Sequence, residues 1–163
     1  MFADPEKIVH EFGFLPGQKV ADFGAGSGHY SLALSQALGS EGRVFAIDLR
    51  KEVLVRLKKL SVESGRENLD IIVGDVEVLK GTTLGDGVVD GVILSNIIFQ
   101  LTDPDGALTE AKRVTKQNGR ICVVEWADKF DEGKMKELFE KNGLTFERRF
   151  DAGERHYGMI FRK

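Results

Sequence analysis

A glycine-rich turn after the first apolar run of the chain is the strongest sign of a ligand site. It comprises Asp22 near the end of the run and then Gly24, Ala25, Gly26, Ser27 and Gly28. Glycines at such a place let the backbone turn sharply out of a strand and let a ligand lie against bare backbone. A turn without a ligand is the alternative, but three glycines at alternate positions favour a ligand.

The spacing of these glycines narrows the choice of ligand. A dinucleotide-binding turn has the pattern G-x-G-x-x-G, whereas here His29 stands where the third glycine of that pattern would be. No Gly-Lys-Ser/Thr follows, which excludes a P-loop. Asp22 lies two residues before the first glycine. A carboxylate there suits a cationic ligand better than phosphates.

Acidic and polar residues also end the next three apolar runs. Asp48 ends the second run, where a carboxylate can accept hydrogen bonds from both hydroxyls of a ribose. Asp75 follows the third run and can accept from the exocyclic amine of adenine, with Leu49 and Val76 beside the ring. Ser95 closes the fourth run. Solvated or helix-capping roles for Asp48 and a turn role for Asp75 are the alternatives.

The elements that position these residues are indicated by the apolar pattern. Five short runs, nearly continuous in Val, Ile, Leu and Phe, are typical of strands covered on both faces of a parallel sheet. They are Lys19–Phe23, Arg43–Ile47, Leu69–Val73, Val88–Ser95 and Arg120–Val124. Helical spacings of apolar residues lie between them. This alternation predicts a doubly wound α/β sheet, with the polar residues at the carboxyl ends of its strands.

The C-terminal part of the chain breaks this alternation. Leu144–Phe150 and Tyr157–Arg162 are strand-like and are separated only by residues 151–156. This connection is too short for a parallel crossover, so we expect the last two strands to be antiparallel neighbours.

Composition limits the class of protein. The 163 residues predict a single domain over residues 1–163, with residues 1–17 as an N-terminal helical cap. The formal net charge of −3 argues against nucleic-acid binding on electrostatic grounds. The single cysteine excludes an intrachain disulfide and a multi-thiolate metal site, and no other metal site is predicted. No signal-peptide pattern or apolar run long enough for a membrane span is found, so we expect a cytoplasmic protein.

These motifs together resemble the class I S-adenosylmethionine-dependent methyltransferases, over nearly the whole chain. The segment 20–31 resembles the family's first motif, Gly74-Asp75-Val76 its adenine motif, 88–101 its fourth-strand motif and 113–126 the helix, turn and strand that follow. The style is similar to the small-molecule branch that includes ubiquinone/menaquinone-biosynthesis enzymes. The resemblance implies a Rossmann-like sheet of seven strands, mostly parallel with an antiparallel C-terminal strand.

The resemblance also implies roles for the site residues. The cofactor would be S-adenosyl-L-methionine, with S-adenosyl-L-homocysteine as the product. Its methionine part would lie near Ser95 and against the glycine turn, with Asp22 near the ammonium group. Asp48 would bind the ribose, and Asp75 the adenine, between Leu49 and Val76. The residues of the turn implied to contact the cofactor are Gly24, Ala25, Gly26 and Gly28.

The methyl acceptor is expected to be a small molecule, but no catalytic residue is identified. His29, His10 and His156 are candidate bases, and Glu125 and Trp126 are candidates for the acceptor pocket. A small mobile lid is expected from Phe2, Phe12 and Phe14, and a partner subunit or a homodimer would complete an otherwise open pocket. With a single cysteine, arsenite-type chemistry is disfavoured.

Two alternatives stay open at this point. A protein that binds S-adenosylmethionine without catalysis, such as a subunit that needs a partner, fits the small lid and the missing base. An NAD-dependent oxidoreductase fits a generic glycine turn followed by Asp48, but it leaves the glycine spacing and Asp75 unexplained.

Overall fold

The computed structural model describes residues 3–163 and shows one seven-stranded sheet flanked by helices. The strands are β1 (Lys19–Phe23), β2 (Arg43–Asp48), β3 (Leu69–Val73), β4 (Val89–Ser95), β5 (Thr115–Trp126), β6 (Thr145–Asp151) and β7 (His156–Arg162). The helices are α1 (Pro5–Glu11), α2 (His29–Leu38), α3 (Lys51–Glu63), α4 (Pro104–Val114) and α5 (Glu132–Lys141), with a short 3₁₀ helix at Ile98–Gln100.

The strand order is β3-β2-β1-β4-β5-β7-β6. The first five strands pair in parallel, whereas β7 pairs antiparallel with both β5 and β6. The order reverses between β1 and β4, and the carboxyl ends of the parallel strands meet there. The predicted fold class is confirmed, including the antiparallel C-terminal strands.

The core lies on both faces of the sheet, as expected for a doubly wound fold. Along β5, Ile121 and Val123 pack into the cluster that includes α4 and α5, while Cys122 and Val124 pack into the cluster that includes α1, α2 and α3. This alternation follows from the period of two in a strand. All four side chains are fully buried.

Short sequence signals set the ends of several helices. Asp4, Asp103 and Asp131 are N-caps whose carboxylates accept a backbone N–H from the first turn of α1, α4 and α5. A proline follows the cap of α1 and of α4, where the missing N–H has no helical partner to lose. Gly39 ends α2 with φ of 69°.

Two expectations about local structure are wrong. β5 begins at Thr115 and not at Arg120, since Thr115 already pairs with Val89 before a register shift. Phe12 does not belong to a mobile lid, because it is fully buried and its ring packs edge-on against Phe150 at 5.9 Å between centroids. Phe2, the other end of that lid, lies outside the described residues.

Over residues 3–163 no helix has both the length and the apolar character that crossing a bilayer requires.

Candidate functional site

The glycine turn lies at the carboxyl edge of β1 and begins α2. Gly24, Gly26 and Gly28 all have positive φ, between 53° and 81°, a region that side chains disfavour. At Gly28 a Cβ atom would also lie 2.2 Å from Leu57 Cδ1 of α3. The glycines are therefore required by the shape of the turn, and Gly28 in addition by the packing of α3 against it.

Two connected cavities open at this edge of the sheet. One, the β2–β3 cavity, has a volume of about 280 Å³, and the other, the β5–β7 cavity, about 290 Å³. The residues common to both walls are Gly24, Arg50, Asn96 and Gln100. Because they share walls, the two cavities form one elongated site across the point where the strand order reverses.

Asp48 is the most heavily bonded acid of the β2–β3 cavity. Its Oδ2 accepts the backbone N–H of Gly26 at 3.0 Å, which ties the end of β2 to the glycine turn. Its Oδ1 accepts both the backbone N–H and Nε of Arg50, each at 3.0 Å. Burial opposes ionisation, but these hydrogen bonds outweigh it and hold the pKa of Asp48 below its ordinary value. Asp48 is therefore neither a solvated acid nor the side-chain cap of α3.

Asp75 and Val76 form the opposite end of the same cavity, with Leu49 exposed beside them. Asp75 Oδ1 accepts the backbone N–H of Glu77 at 2.9 Å, which stabilises the turn after β3. Gly81 comes so close to this turn that its Cβ would lie 2.1 Å from the carbonyl oxygen of Asp75. The position of Asp75 thus depends on the loop that follows it.

Buried Glu110 of α4 holds that loop in place. Its carboxylate accepts the backbone N–H of Lys80 at 2.8 Å and the hydroxyl of Thr82 at 2.6 Å. Arg113 donates to the same carboxylate at 2.6 Å. Burial raises the pKa of Glu110, but these partners outweigh it and bring the value to about 2. The network is thus a structural support for the β2–β3 cavity.

Asp22 lies behind the glycine turn and not in the wall of either cavity. It is fully buried, and its Oδ2 accepts the hydroxyl of Ser31 at 2.6 Å. Its Oδ1 has no hydrogen-bond partner. Burial raises the pKa of Asp22 to about 7, against the hydrogen bond from Ser31 and with a small contribution from the charge of Asp48. A positive charge near the turn would stabilise the ionised form.

Buried polar atoms without a partner are concentrated at this end of the molecule. Within residues 3–163 such atoms occur in five residues, of which Tyr30, Asn96 and His156 line the β5–β7 cavity and Asp22 lies behind it. Arg66 is elsewhere. Native structures leave few buried polar groups unsatisfied, so a cluster of them around one cavity marks it as a candidate ligand site.

The structure brings most of the predicted site residues to the cavities. Ala25, Gly26 and Ser95 line the β5–β7 cavity, Gly24 lines both, and the others, Asp48, Leu49, Asp75 and Val76, line the β2–β3 cavity. Asp22 and Gly28 lie outside the walls. The strand ends therefore predicted which edge of the sheet carries the site. They did not predict which of the residues line a cavity.

Of the acceptor-pocket candidates, Trp126 lines the β5–β7 cavity and Glu125 does not, and the candidate base His156 lines it as well. Glu125 is buried and accepts the backbone N–H of Trp126 at 2.9 Å and of Phe99 at 3.4 Å, so it joins β5 to the 3₁₀ helix. Burial raises its pKa to about 6. His29 lines the cavity from an exposed position, and His10 does not line it.

Several lining residues were not among the predicted site residues, and three of them, Arg50, Asn96 and Gln100, line both cavities. Arg50 and Gln100 follow the ends of β2 and β4, so their position beside the predicted residues was an available signal. Asn96 follows Ser95 directly and has a φ of 54°, which is disfavoured for a residue with a side chain. Gln100 Nε2 donates to the carbonyl oxygen of Asn96 at 2.7 Å and supports this conformation.

Comparisons with known proteins agree with this geometry. The family described as "Methyltransferase domain" matches residues 15–160. A ubiquinone/menaquinone biosynthesis C-methyltransferase from Haemophilus ducreyi is 31% identical over 121 residues, 71% of this chain and 44% of the relative. An arsenite methyltransferase from Aquipseudomonas alcaligenes is 35% identical over 112 residues, 66% of this chain and 32% of the relative.

A solved structure of a SAM dependent methyltransferase from Aquifex aeolicus superposes with a TM-score of 0.90 and 26% identity, covering 99% of this chain and 90% of the other. The chain spans less than half the length of the two curated relatives above. S-adenosylmethionine, the cofactor indicated by the sequence, is confirmed by the family. The chain belongs to the class I S-adenosylmethionine-dependent methyltransferases.

Proposed function

We propose that this protein transfers a methyl group from S-adenosylmethionine to a small-molecule acceptor. One observation carries the proposal: Tyr30, Asn96 and His156, each with a buried polar atom that lacks a partner, line a cavity that continues into one lined by Asp48 and Asp75. A cofactor and an acceptor lying end to end would supply partners for both halves of this site. Two relatives whose names indicate small-molecule acceptors support this class of acceptor.

The residues present fit the two halves of the cofactor. Asp48 and Asp75 would hold its ribose and adenine, with Leu49 and Val76 against the ring. The turn at Gly24 would face its methionine half, because the exposed backbone there leaves room for a ligand. The orphaned Oδ1 of Asp22 fits a nearby ammonium group. Arg50 already donates two hydrogen bonds to Asp48. On cofactor binding, hydrogen bonds from the ribose hydroxyls would replace part of this ion pair.

The cofactor supplies a methyl group already activated by a positive sulfonium. The task of the protein is then to align the acceptor for in-line attack and to exclude water. Ser95 and Asn96 end β4 at the junction of the two cavities, and Trp126 ends β5 beside them. These residues would orient the acceptor against the methionine half. Cys122 is fully buried in β5, so the chain offers no accessible thiol for binding a soft metal-like acceptor.

A non-catalytic binding protein is the less favoured proposal. The β5–β7 cavity extends beyond the predicted cofactor residues. A protein that binds only the cofactor would leave the polar atoms in that part of the cavity without a hydrogen-bond partner. A cytoplasmic location, a single domain over residues 1–163 and completion of the pocket by a partner subunit or a second copy stay predictions.

The proposal is tested by calorimetric titration with S-adenosylmethionine, S-adenosylhomocysteine and NAD on one preparation. We expect micromolar binding of the first two and none of NAD. Asp48→Ala should weaken binding at least a hundredfold, because it removes two hydrogen bonds to a charged acceptor worth about 1.5–3 kcal/mol each. Glu137→Ala, at an exposed position of α5 that lines neither cavity, is the matched control. Binding of NAD alone, or undiminished binding by Asp48→Ala, would contradict the assignment.

A further inference from the structure

His156 is the buried group of the β5–β7 cavity whose surroundings are least satisfied. Only 4% of the residue is exposed, and within residues 3–163 neither Nδ1 nor Nε2 has a hydrogen-bond partner. A buried polar atom without a partner destabilises the folded state. A side chain kept in this state at the wall of a cavity is expected to meet its partner in a ligand.

The strand pairing fixes the imidazole at the cavity. His156 is the first residue of β7 and pairs with Trp126, the last residue of β5. The two rings are 3.9 Å apart between centroids, with a 43° angle between their planes. The backbone on either side is held by hydrogen bonds from Ala127 N to the Arg155 carbonyl at 2.9 Å and from His156 N to the Gly153 carbonyl at 3.1 Å. The ring is therefore positioned before a ligand arrives.

The charges around His156 favour its neutral form. Burial lowers its pKa first, the Arg155 guanidinium lowers it further, and Asp128 acts in the opposite direction. Arg155 and Asp128 are paired at 2.9 Å, so their effects largely oppose each other. Glu125, the nearest acid of β5, is bound to backbone N–H groups. A neutral imidazole has one nitrogen that accepts a proton and one that donates.

The rest of the wall indicates which acceptor fits. Trp126 and Tyr30 present aromatic side chains to the cavity. The guanidinium of the lining residue Arg50 is paired with Asp48 at 3.0 Å, and the part of this contact that stays after ribose binding reduces its attraction for an anionic acceptor. Asn96 Oδ1 needs a hydrogen-bond donor. It lies two strands from His156, across β5, or about 10 Å at the usual strand spacing. A flat, neutral, hydroxylated molecule matches this wall.

We propose that His156 is a catalytic base that deprotonates a hydroxyl of a flat conjugated acceptor lying beside Trp126; this rests on the proposed methyltransferase function. The acceptor O–H bond breaks and its proton passes to the imidazole. The oxygen forms the new bond to the methyl carbon, and the carbon–sulfur bond breaks with its electron pair left on sulfur. A neutral imidazole and a sulfonium thus become an imidazolium and a thioether, and the imidazolium then loses its proton to solvent.

The first test is read out on the wild-type protein and needs no variant of His156. Imidazole ¹⁵N signals are recorded with saturating S-adenosylhomocysteine, the three histidines being assigned with His10→Gln and His29→Gln. Millimolar phenol or catechol should shift the His156 signals, whereas anisole and veratrole, which have the same rings without O–H, should not. Equal shifts with both pairs, or no shift with any of the four, would overturn the proposal.

The second test measures methyl transfer to phenol and catechol. For His156→Gln we expect kcat to fall about 10²–10⁴-fold at pH 7, the usual contribution of a general base, with KM changed by less than threefold. The remaining rate should rise tenfold per pH unit, since the acceptor must then ionise in solution. His10→Gln, at an exposed position outside the cavity, should behave as wild type. Loss of activity in His29→Gln but not in His156→Gln would overturn the proposal, as would no methylation of either probe.

Binding of S-adenosylhomocysteine separates the two levels of failure. If the wild type binds it and the histidine tests fail, only the role of His156 is wrong. If the wild type does not bind it, the proposed function itself is wrong. If His156→Gln alone loses binding because it does not fold, the wild-type ¹⁵N measurement still decides.

Discussion

Replacing Asp22 by Asn is the most informative perturbation of the cofactor side of the site. The carboxyl is fully buried, and burial raises its pKa from an ordinary 3.8 to about 7. Because the folded state binds this proton more tightly than the unfolded state, the group's effect on stability is most favourable below pH 4 and is lost as the pH rises to about 7. Over the whole interval the loss is about 4 kcal/mol, at 1.36 kcal/mol per pKa unit.

An asparagine keeps the shape of the side chain and an oxygen that can accept from the Ser31 hydroxyl, but it does not ionise. The free energy of unfolding of Asp22→Asn relative to wild type should therefore increase by about 2–3 kcal/mol between pH 5 and pH 8. For a chain of this size that corresponds to about 5–10 °C in Tm. Glu137→Gln, which removes a charge from an exposed position of α5, is the control.

The assay is thermal or urea unfolding of the three proteins without cofactor at pH 5 and pH 8. The same substitution should weaken S-adenosylmethionine binding at pH 8 at least tenfold. A cationic ligand that lowers the pKa of Asp22 by one unit binds the ionised carboxylate tenfold more tightly than the neutral form, and asparagine cannot supply this charge. A stability difference that does not grow with pH would refute the buried, protonated carboxyl. Unchanged affinity would refute its role toward the ammonium group.

Two further substitutions test the supports of the site. Gly28→Ala should lower the free energy of unfolding by about 2 kcal/mol or more, because it combines a φ of 81° with a contact of 2.2 Å to Leu57. Gly39→Ala, with φ of 69° and no atom within 4 Å, should lose about 1 kcal/mol, and equal losses would contradict the packing argument. Glu110→Gln should lose about 3 kcal/mol at pH 7 in urea unfolding, with the difference from wild type narrowing as the pH falls from about 5 toward 2. A difference independent of pH would show that the carboxylate bonded to Thr82 does not act through its charge.

The fold was predictable because its signals are local. Strand ends, glycines and acids recur in the order that a doubly wound sheet requires, and the short connection at residues 151–156 excludes a parallel crossover. The placement of Asp48 and Asp75 at one edge follows from this topology. The boundary of β5 was harder, since Thr115 joins the sheet through a register shift that depends on its partner Val89.

Side-chain partners were not predictable in the same way. The hydrogen bond from Arg50 to Asp48 depends on the path of the backbone after β2. The burial of Asp22 depends on how α2 packs over it. The prediction that Phe12 belongs to a lid was wrong because an aromatic residue near the start of a chain packs into the core as readily as against a ligand. Such contacts involve residues far apart in sequence, and no local pattern encodes them.

The antiparallel strand β7 explains how one sheet edge can hold both the cofactor and the acceptor. A parallel strand beside β5 would bring its carboxyl end to the cavity, and its first residue would lie at the far edge. Because β7 runs the other way, its first residue, His156, lies next to Trp126, and the loop at residues 151–156 lies at the same edge as the glycine turn. The parallel half of the sheet can thus serve the cofactor, while the reversed strand would supply groups to the proposed acceptor. Substitutions in β7 should therefore alter acceptor use before they alter cofactor binding.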